Sequence, residues 1–198
     1  MSSTKMPKII AICGAKRSGK DVLAEHLVKH YVYERVAFAD SLKHAVKALF
    51  NFDDEQVRTD KKDLVDETWG ITPRSALQFF GTEVMQEKIQ ELLPDIKRNF
   101  FANNLKKYIT NANADTKFVI SDLRFIHEYE MLLKIPNIRK EDVIIIRVVR
   151  PSRDATSAVT NDTHISEREY MKIPYDVVLV NDGTIANYID KFDKLMAI

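Results

Sequence analysis

The fold of this chain is decided by Gly14-Ala15-Lys16-Arg17-Ser18-Gly19-Lys20-Asp21, a stretch with the form of a phosphate-binding loop. An apolar run before it, Ile9–Cys13, is typical of a buried parallel strand, and the apolar spacing from Val22 onward indicates a helix. In that order the glycines let backbone N–H groups turn toward phosphate oxygens, and the helix N-terminus adds partial positive charge. We therefore predict a phosphate site at this loop, with Lys20 reaching between the outer phosphates.

The last residue of the stretch, Asp21, departs from the usual pattern, which has Ser or Thr. A hydroxyl there would coordinate Mg²⁺ directly. A carboxylate also binds a hard cation, directly or through water, but it brings negative charge close to the phosphates. Asp21 therefore marks either a subclass of the loop with its own metal geometry or a loop that has lost nucleotide binding. Because Lys20 and both glycines are present, we favour the first interpretation.

The overall composition argues against several classes of partner. With 198 residues, 45% of them hydrophobic and 30% charged, the chain has the make-up of one globular domain. Its net charge of +1 provides no field for a nucleic-acid polymer, so a small charged ligand is the expected partner. No apolar stretch approaches the roughly 20 residues that cross a bilayer, the N-terminus has no signal-peptide core, and the lone cysteine, Cys13, is expected in the core. These features predict a cytoplasmic protein that binds no membrane.

Apolar strand-like runs alternate with helical patterns along the chain, which predicts an α/β fold around a parallel sheet. The predicted strands are residues 9–13, 35–39, 118–121, 142–149 and 177–180. The predicted helices are residues 22–28, 41–50, 73–89, 101–109 and 184–196. Two polar segments, residues 53–72 and 151–175, interrupt the pattern at the carboxyl ends of strands, where open α/β sheets bind ligands. We expect both segments to act as lids.

Residues after the third predicted strand are candidates for metal and substrate binding. Asp122 follows the strand directly, as does the acidic residue that holds Mg²⁺ in other proteins with this loop, so we expect it to share a metal ion with Asp21. Arg124 is expected to point into the same crevice, although a surface cation beside a carboxylate would also explain it. His26 and His30 are four residues apart on the first helix, and we expect them on a solvated face and not at a metal.

Three arginines near the fourth strand and in the second polar segment are candidates for the transfer chemistry. Arg150 and Arg153 follow the strand, and Arg168 lies within residues 151–175. Phosphoryl transfer spreads negative charge over the moving group, which arginines on a closing lid stabilise. With Lys20 they form the predicted catalytic set. The alternative is that some of them are surface residues without a role.

Together these residues resemble the deoxynucleoside monophosphate kinases encoded by large bacteriophages, within the P-loop nucleotide-kinase superfamily. The resemblance covers most of the chain and rests on six motifs: Lys16-Arg17-Ser18-Gly19-Lys20-Asp21, Phe38-Ala39-Asp40-Ser41-Leu42-Lys43, Arg74-Ser75-Ala76-Leu77-Gln78-Phe79-Phe80-Gly81-Thr82-Glu83, Ser121-Asp122-Leu123-Arg124-Phe125, His164-Ile165-Ser166-Glu167 and Asn181-Asp182-Gly183-Thr184. The Gly-Lys-Asp ending is usual in that family, so Asp21 supports the resemblance. The family more often has Pro in place of Ser41 and Pro-Asn-Glu in place of Ile126-His127-Glu128, which leaves the identity of the substrate open.

The resemblance implies a single P-loop kinase domain over residues 1–198, with a three-layer α/β/α core and a five-stranded parallel sheet in the order 2-3-1-4-5. It also implies a helical substrate-binding insertion near residues 40–113 and a lid near residues 151–175. The implied activity is ATP-dependent, Mg²⁺-assisted phosphorylation of deoxynucleoside 5'-monophosphates to diphosphates. The implied location is the cytoplasm, that of the host if the gene is a phage's.

The resemblance further implies which residues hold the two substrates. ATP is expected on Gly14, Ala15, Lys16, Arg17, Ser18, Gly19, Lys20, Asp21 and Val22, with Arg150 packing on adenine and Asn181 and Gly183 lining the base. The acceptor monophosphate is expected against Asp40, Lys43, Arg74, Gln78 and Arg124. A phosphate acceptor needs cations and a base needs amide or carboxylate edges, which this set supplies.

Two alternative functions fit parts of the pattern. Another small-molecule kinase, such as animal-type phosphomevalonate kinase, also has Gly-Lys-Asp and Ser-Asp-x-Arg, but residues 38–43 and 77–83 favour a nucleotide acceptor. A non-catalytic nucleotide-binding module is disfavoured because Lys20 and Asp122 are both present. The accepted bases, the preference for deoxyribose and the oligomeric state, with a homodimer as one option, stay open at the level of sequence.

Overall fold

Five parallel strands form one sheet in the computed structural model, which describes residues 6–151 and 169–196. The strands are β1 Ile9–Cys13, β2 Tyr33–Val36, β3 Lys117–Ile120, β4 Val143–Val149 and β5 Val177–Val180. Their order across the sheet is β2-β3-β1-β4-β5, and every neighbouring pair is parallel. This confirms the predicted α/β fold and the 2-3-1-4-5 order.

Helices connect these strands. The α-helices described are α1 Lys20–Tyr31, α2 Asp40–Phe50, α3 Asp54–Arg58, α4 Pro73–Gln78, α5 Phe100–Asn111, α6 Ile126–Leu132 and α7 Ile185–Met196. Short 3₁₀ turns occupy Asp60–Asp63, Lys88–Glu91, Lys140–Asp142 and Tyr170–Lys172. Within this part of the chain, no helix combines the length and the apolar character that crossing a membrane requires.

The main core surrounds β1, which lies between β3 and β4 and is buried along its whole length. Both faces of a parallel sheet are covered in α/β folds, so such a strand is apolar at every position. Ile10 and Ile12 belong to the same core cluster as Leu23 of α1 and Phe192 of α7. Cys13 is fully buried as predicted, and this burial raises the pKa of its thiol.

The chain divides into two compact units. The first, Met1–Ala37 with Lys106–Ile198, carries the sheet. The second, Phe38–Leu105, is helical and has a small core of its own, formed by Val46, Phe52, Val57 and Ala76. The single-domain assignment and the boundaries of the insertion, near 40–113, remain predictions.

The second strand begins two residues earlier than predicted and ends three residues earlier. Residues 35–39 were expected to be extended, whereas β2 ends at Val36. Its partner explains the difference, because Val36 pairs with Ile120, the last residue of β3. Residues beyond Val36 have no neighbouring β3 residue to pair with, so apolar character alone does not extend the strand.

The long helix predicted over residues 73–89 is wrong in its second half. Thr72 caps α4 by accepting a hydrogen bond from the Ser75 N–H, and Pro73 occupies the first helical position as expected. From Phe79–Glu87 the backbone widens into a π-helix. The buried Gly81 lies in this segment, where an added Cβ would be 2.8 Å from Cδ2 of Leu42. A spacing argument based on 3.6 residues per turn does not detect such a change.

The polar segment at residues 53–72, which was expected to act as a lid, contains a helix. Asp53 accepts a hydrogen bond from the Gln56 N–H at 2.7 Å, and the Gln56 side chain accepts one from the Asp53 N–H at 2.9 Å. This reciprocal capping box starts α3, and its Asp-x-x-Gln spacing was a signal available in the sequence.

Candidate active site

The loop between β1 and α1 has a conformation that needs its glycines. Gly14 and Gly19 have φ angles of 147° and 113°, which side chains rarely adopt. A side chain at Gly14 would also collide with the carbonyl oxygen of Val148, and one at Gly19 would lie 2.6 Å from Nδ2 of Asn181. Both positions therefore favour glycine through their φ angles, and the backbone of Val148 excludes a side chain at Gly14 as well.

Two polar side chains of this loop are buried. Lys20, only 7% exposed, donates hydrogen bonds from Nζ to the carbonyl oxygens of Gly14 at 2.9 Å and Ala15 at 2.7 Å. Ser18 is fully buried, and its hydroxyl oxygen has no hydrogen-bond partner among the described residues. The features that fit a phosphate group are the two glycines of positive φ and Lys20 at the N-terminus of α1.

The ends of β4 and β5 and the helix α7 hold the outside of the loop. Asn181 donates from Nδ2 to the Ser18 carbonyl oxygen at 2.8 Å, and its own N–H donates to Val149 at 2.8 Å. The Tyr188 hydroxyl lies 3.4 Å from the carbonyl oxygen of Gly19, to which it donates. These contacts place Asn181, a predicted nucleotide-binding residue, directly against the loop.

Two further predicted nucleotide-binding residues lie in the segments that follow these strands. Arg150 donates from Nη1 to the carbonyl oxygen of Arg17 at 3.4 Å. Gly183 is exposed in the turn before α7, where an added Cβ would be 3.4 Å from Nδ2 of Asn187. Their contact with adenine remains a prediction.

The carboxylate of Asp21 forms an ion pair with Arg35 of β2. The same nitrogen, Nη2 of Arg35, lies 3.1 Å from the Ser121 hydroxyl oxygen and donates a hydrogen bond to it. Ser121 directly follows β3 and precedes Asp122, the other predicted metal ligand. Arg35 was not among the predicted site residues, because no motif contains it.

A buried glutamate shapes the turn that carries Asp122 and Arg124. Oε2 of Glu128 accepts hydrogen bonds from the backbone N–H groups of Arg124 at 2.8 Å and Phe125 at 3.0 Å. Burial and the nearby charge of Asp122 raise the pKa of Glu128 to about 8, although the two N–H groups oppose the shift. Glu128 was also missed as a site residue, although a Glu in the first turn of a helix is a known capping signal.

The second unit contains four of the predicted acceptor residues. Oδ1 of Asp40 lies 3.1 Å from Nη1 of Arg58 and 3.8 Å from Nζ of Lys43. Arg74 holds Asp63 with two nitrogens, Nε and Nη2, the latter 3.0 Å from Oδ2. Gln78 is exposed at the end of α4, four residues after Arg74. The fifth acceptor residue, Arg124, belongs to the first unit.

Comparison with known proteins agrees with the loop geometry. The family described as Deoxynucleotide monophosphate kinase matches residues 52–192. A protein of Acanthamoeba polyphaga mimivirus, named as a deoxynucleotide monophosphate kinase, is 32% identical over 187 residues, which cover 91% of each chain. The chain belongs to the deoxynucleotide monophosphate kinase family.

Phage proteins named as deoxynucleotide monophosphate kinases match this kinase over less of their length. That of Escherichia phage RB69 is 28% identical over 132 residues, 67% of this chain and 47% of the phage protein. That of Enterobacteria phage T4 is 25% identical over 166 residues, 79% of this chain and 61% of the phage protein. Among solved structures, the dephospho-CoA kinase of Campylobacter jejuni aligns with a TM-score of 0.49 at 13% identity, over 96% of both chains.

Some residues predicted for the kinase lie outside the described part of the chain. Arg153 and Arg168 fall within residues 152–168, as does the motif at 164–167, so their catalytic roles remain predictions. Within residues 6–151 and 169–196, no three His, Cys, Asp or Glu side chains gather into a metal cage. Such a cage is not what Mg²⁺ requires, since proteins usually hold it through one or two carboxylates together with substrate phosphates.

Proposed function

We propose that this kinase transfers the γ-phosphoryl group of ATP directly to a deoxynucleoside 5'-monophosphate, producing ADP and a deoxynucleoside diphosphate. The observation that carries the proposal is the loop at Gly14, whose two glycines of positive φ lead into the N-terminus of α1 with Lys20 held inside the loop. In a member of this family, such a loop is expected to bind the donor's phosphates. We place the reaction in the cytoplasm, where both nucleotides are available.

The donor is proposed to bind with its phosphates in the loop. Lys20 already donates to the loop's own carbonyl oxygens, so a short movement of Nζ would exchange these for phosphate oxygens. Arg150 and Asn181 both contact the outer backbone of the loop, which supports their assignment to the adenine side. Arg153 and Arg168 are proposed to stabilise charge on the group in transfer.

Magnesium is proposed to neutralise part of the phosphate charge when it is bound with ATP. The residues that would hold it are Asp122, directly or through water, and Asp21. Both are hard oxygen donors, which suits Mg²⁺ or Mn²⁺ better than a softer transition metal. We expect chelation of the metal to abolish transfer.

The acceptor is proposed to bind Asp40, Lys43, Arg74, Gln78 and Arg124. The geometry of Arg74 supports this choice, because it already grips two carboxylate oxygens of Asp63 with two nitrogens. A phosphate presents the same pair of oxygens to a guanidinium fork. Gln78 both donates and accepts hydrogen bonds, which suits the edge of a base.

The proposed function is tested by incubating the protein with ATP and Mg²⁺ and following ADP release. A panel of deoxynucleoside and ribonucleoside monophosphates serves as acceptors, with phosphomevalonate as the competing substrate class and no acceptor as the blank. We expect release with at least one deoxynucleotide and intersecting initial-rate patterns, as direct transfer requires both substrates on the enzyme together. ADP release with phosphomevalonate but with none of the nucleotides would contradict the proposal. So would the absence of ADP release with every acceptor of the panel.

A further inference from the structure

The position of Asp21 raises an electrostatic problem. It is the second residue of α1, next to Lys20, so its carboxylate stands beside a site proposed for triphosphate. Two unit charges ~6 Å apart, at an effective dielectric constant of ~40, repel strongly enough to change a binding constant about tenfold. When no metal ion is bound, an acidic residue here needs a compensating cation from the protein itself.

Arg35 provides that cation from outside every motif of the site. Its Nη2 contacts both Oδ1 of Asp21 and, at 3.1 Å, the Ser121 hydroxyl oxygen. Its Nη1 is 3.9 Å from Oε1 of Glu25, one turn further along α1. One guanidinium therefore links the first turns of α1 to the carboxyl end of β3.

We propose that Arg35 is a positioning residue of the ATP site, which neutralises Asp21 and holds it in register with the turn at Ser121. The inference rests on the proposed binding of ATP at the loop. Other loops of this type have an uncharged Ser or Thr hydroxyl at the position of Asp21. Arg35 would offset the negative charge of Asp21, so that the loop can still bind phosphate. The guanidinium meets Asp21 and Ser121 with Nη2 while Nη1 lies near Glu25, and the single nitrogen of a lysine would not reproduce all three contacts.

The exposure of the pair argues that its role is not to stabilise the fold. The side chains of Arg35 and Asp21 are 37% and 72% exposed, and ion pairs so open to solvent contribute little to folding. The backbone of Arg35 remains in β2, aligned with Val119 of β3, whatever side chain it carries. Substitutions of Arg35 are therefore expected to fold, which makes the inference testable by ligand binding.

The test measures ATP binding by calorimetry in the presence of EDTA, so that a metal role of Asp21 does not enter. We expect Arg35→Gln to weaken ATP binding about tenfold and Arg35→Lys to give an intermediate loss. In the double variant Arg35→Gln with Asp21→Asn, ATP binding should return close to that of the wild type. Arg139→Gln is the matched control, because it breaks an exposed pair with Asp142 elsewhere in the same unit and should change nothing.

Steady-state kinetics with Mg²⁺ provides the second readout. Arg35→Gln should raise KM for ATP and leave KM for the monophosphate unchanged, with an unfolding midpoint equal to that of the wild type. Unchanged ATP binding in Arg35→Gln, or a loss that Asp21→Asn does not restore, would overturn the inference. If the wild type binds ATP but phosphorylates no monophosphate, the proposed function fails, and the binding measurements still test the role of Arg35. If the wild type does not bind ATP, the proposed function and the role of Arg35 both fail.

Discussion

Lys20 is the residue whose charge the loop is built to position. It is almost fully buried, and its Nζ donates hydrogen bonds to the carbonyl oxygens of Gly14 and Ala15. These two bonds hold the ammonium group within the loop, at the N-terminus of α1. We expect the charge of this group, together with the helix N-terminus, to attract an incoming anion.

We predict that Lys20→Ala abolishes transfer while the protein still folds. Loss of a preorganised donor to the transition state typically costs ~3 kcal/mol or more, which is at least about a hundredfold in kcat. Lys194→Ala, which breaks an exposed pair with Asp190, is the control and should keep full activity. Near-normal turnover in Lys20→Ala would contradict the assignment of the loop as catalytic.

Glu128 leads to a prediction about stability. Glu128→Ala leaves the N–H groups of Arg124 and Phe125 without their acceptor, so we expect unfolding free energy to fall by about 2 kcal/mol. Because the pKa of Glu128 is raised to about 8, its carboxyl is mostly protonated at neutral pH. Glu128→Gln resembles that uncharged form and keeps an acceptor oxygen. Its free energy of unfolding in urea at pH 7 should therefore be close to that of the wild type. Equal losses in both variants would count against this account.

At the scale of elements, helices α1 and α7 are joined by a polar cluster on the sheet's flank. Oδ1 of Asp193 lies 2.7 Å from Nε2 of His26, and it also accepts a hydrogen bond from the Tyr31 hydroxyl at 2.8 Å. The expectation that His26 lies on a solvated face is wrong, because its side chain is only 13% exposed. Burial and the bond to Asp193 raise the pKa of Tyr31 to about 12.

The same cluster predicts a pH dependence of stability. Burial of Asp193 tends to raise the pKa of its carboxyl, but the hydrogen bonds from His26 and Tyr31 outweigh it and hold this pKa below the ordinary value. A carboxylate of lowered pKa contributes stability that is complete above the unfolded value of ~3.9 and is lost as the pH falls through the folded value. The contribution is at most ~1 kcal/mol, because the side chain of Asp193 is 40% exposed.

Unfolding free energies measured from pH 2 to pH 7 test this prediction. Asp193→Asn should be less stable than the wild type near neutral pH, and the difference should shrink as the solution becomes more acidic than the folded pKa. Asp190→Asn, on the same helix but paired only with the exposed Lys194 in the described structure, is the control. A difference that stays constant across the whole range would rule out the carboxylate as its source.

At the scale of the whole molecule, four of the residues proposed for the acceptor belong to the second compact unit. They are Asp40, Lys43, Arg74 and Gln78, all within Phe38–Leu105. The second unit has its own small apolar core, which fixes α2, α3 and α4 relative to one another. Substitutions at its surface are therefore expected to change acceptor kinetics without unfolding the sheet.

Steady-state kinetics with dTMP, dGMP, dCMP and dAMP as acceptors test the roles proposed for Arg74 and Gln78. Arg74→Ala should raise KM for every accepted monophosphate alike, because it removes a contact to the phosphate that all of them share. Gln78→Ala should change the ranking among bases, since a site built to hydrogen-bond a group discriminates more strongly than an apolar wall, which contributes only ~1–3 kcal/mol.

The control for both variants is Lys88→Ala, which removes an exposed pair with Glu91 in the same unit and should leave all four KM values unchanged. An unchanged KM in Arg74→Ala would remove Arg74 from the acceptor site. An unchanged ranking in Gln78→Ala would do the same for Gln78.

The sequence by itself determined the phosphate loop and the presence of five strands, whereas the order of the strands was implied by the family resemblance. Gly14, Gly19 and Lys20 form a local motif, and a buried parallel strand such as β1 is apolar at every position, so both signals are readable from neighbouring residues. The capping box at Asp53 was readable in the same way. The end of β2 was not, because Val36 ends the strand only where Ile120 ends β3.

Only the tertiary structure decided which distant side chains pair with the residues of α1. Arg35 meets Asp21 and Ser121, and His26 meets Asp193, although 167 positions of sequence separate the last two residues. No periodicity or motif encodes such pairs, because each arises where the sheet and helices bring distant segments together. The sequence therefore determined where we expect phosphate to bind, whereas the packing of β2 and β3 beside α1 decided which side chain pairs with Asp21.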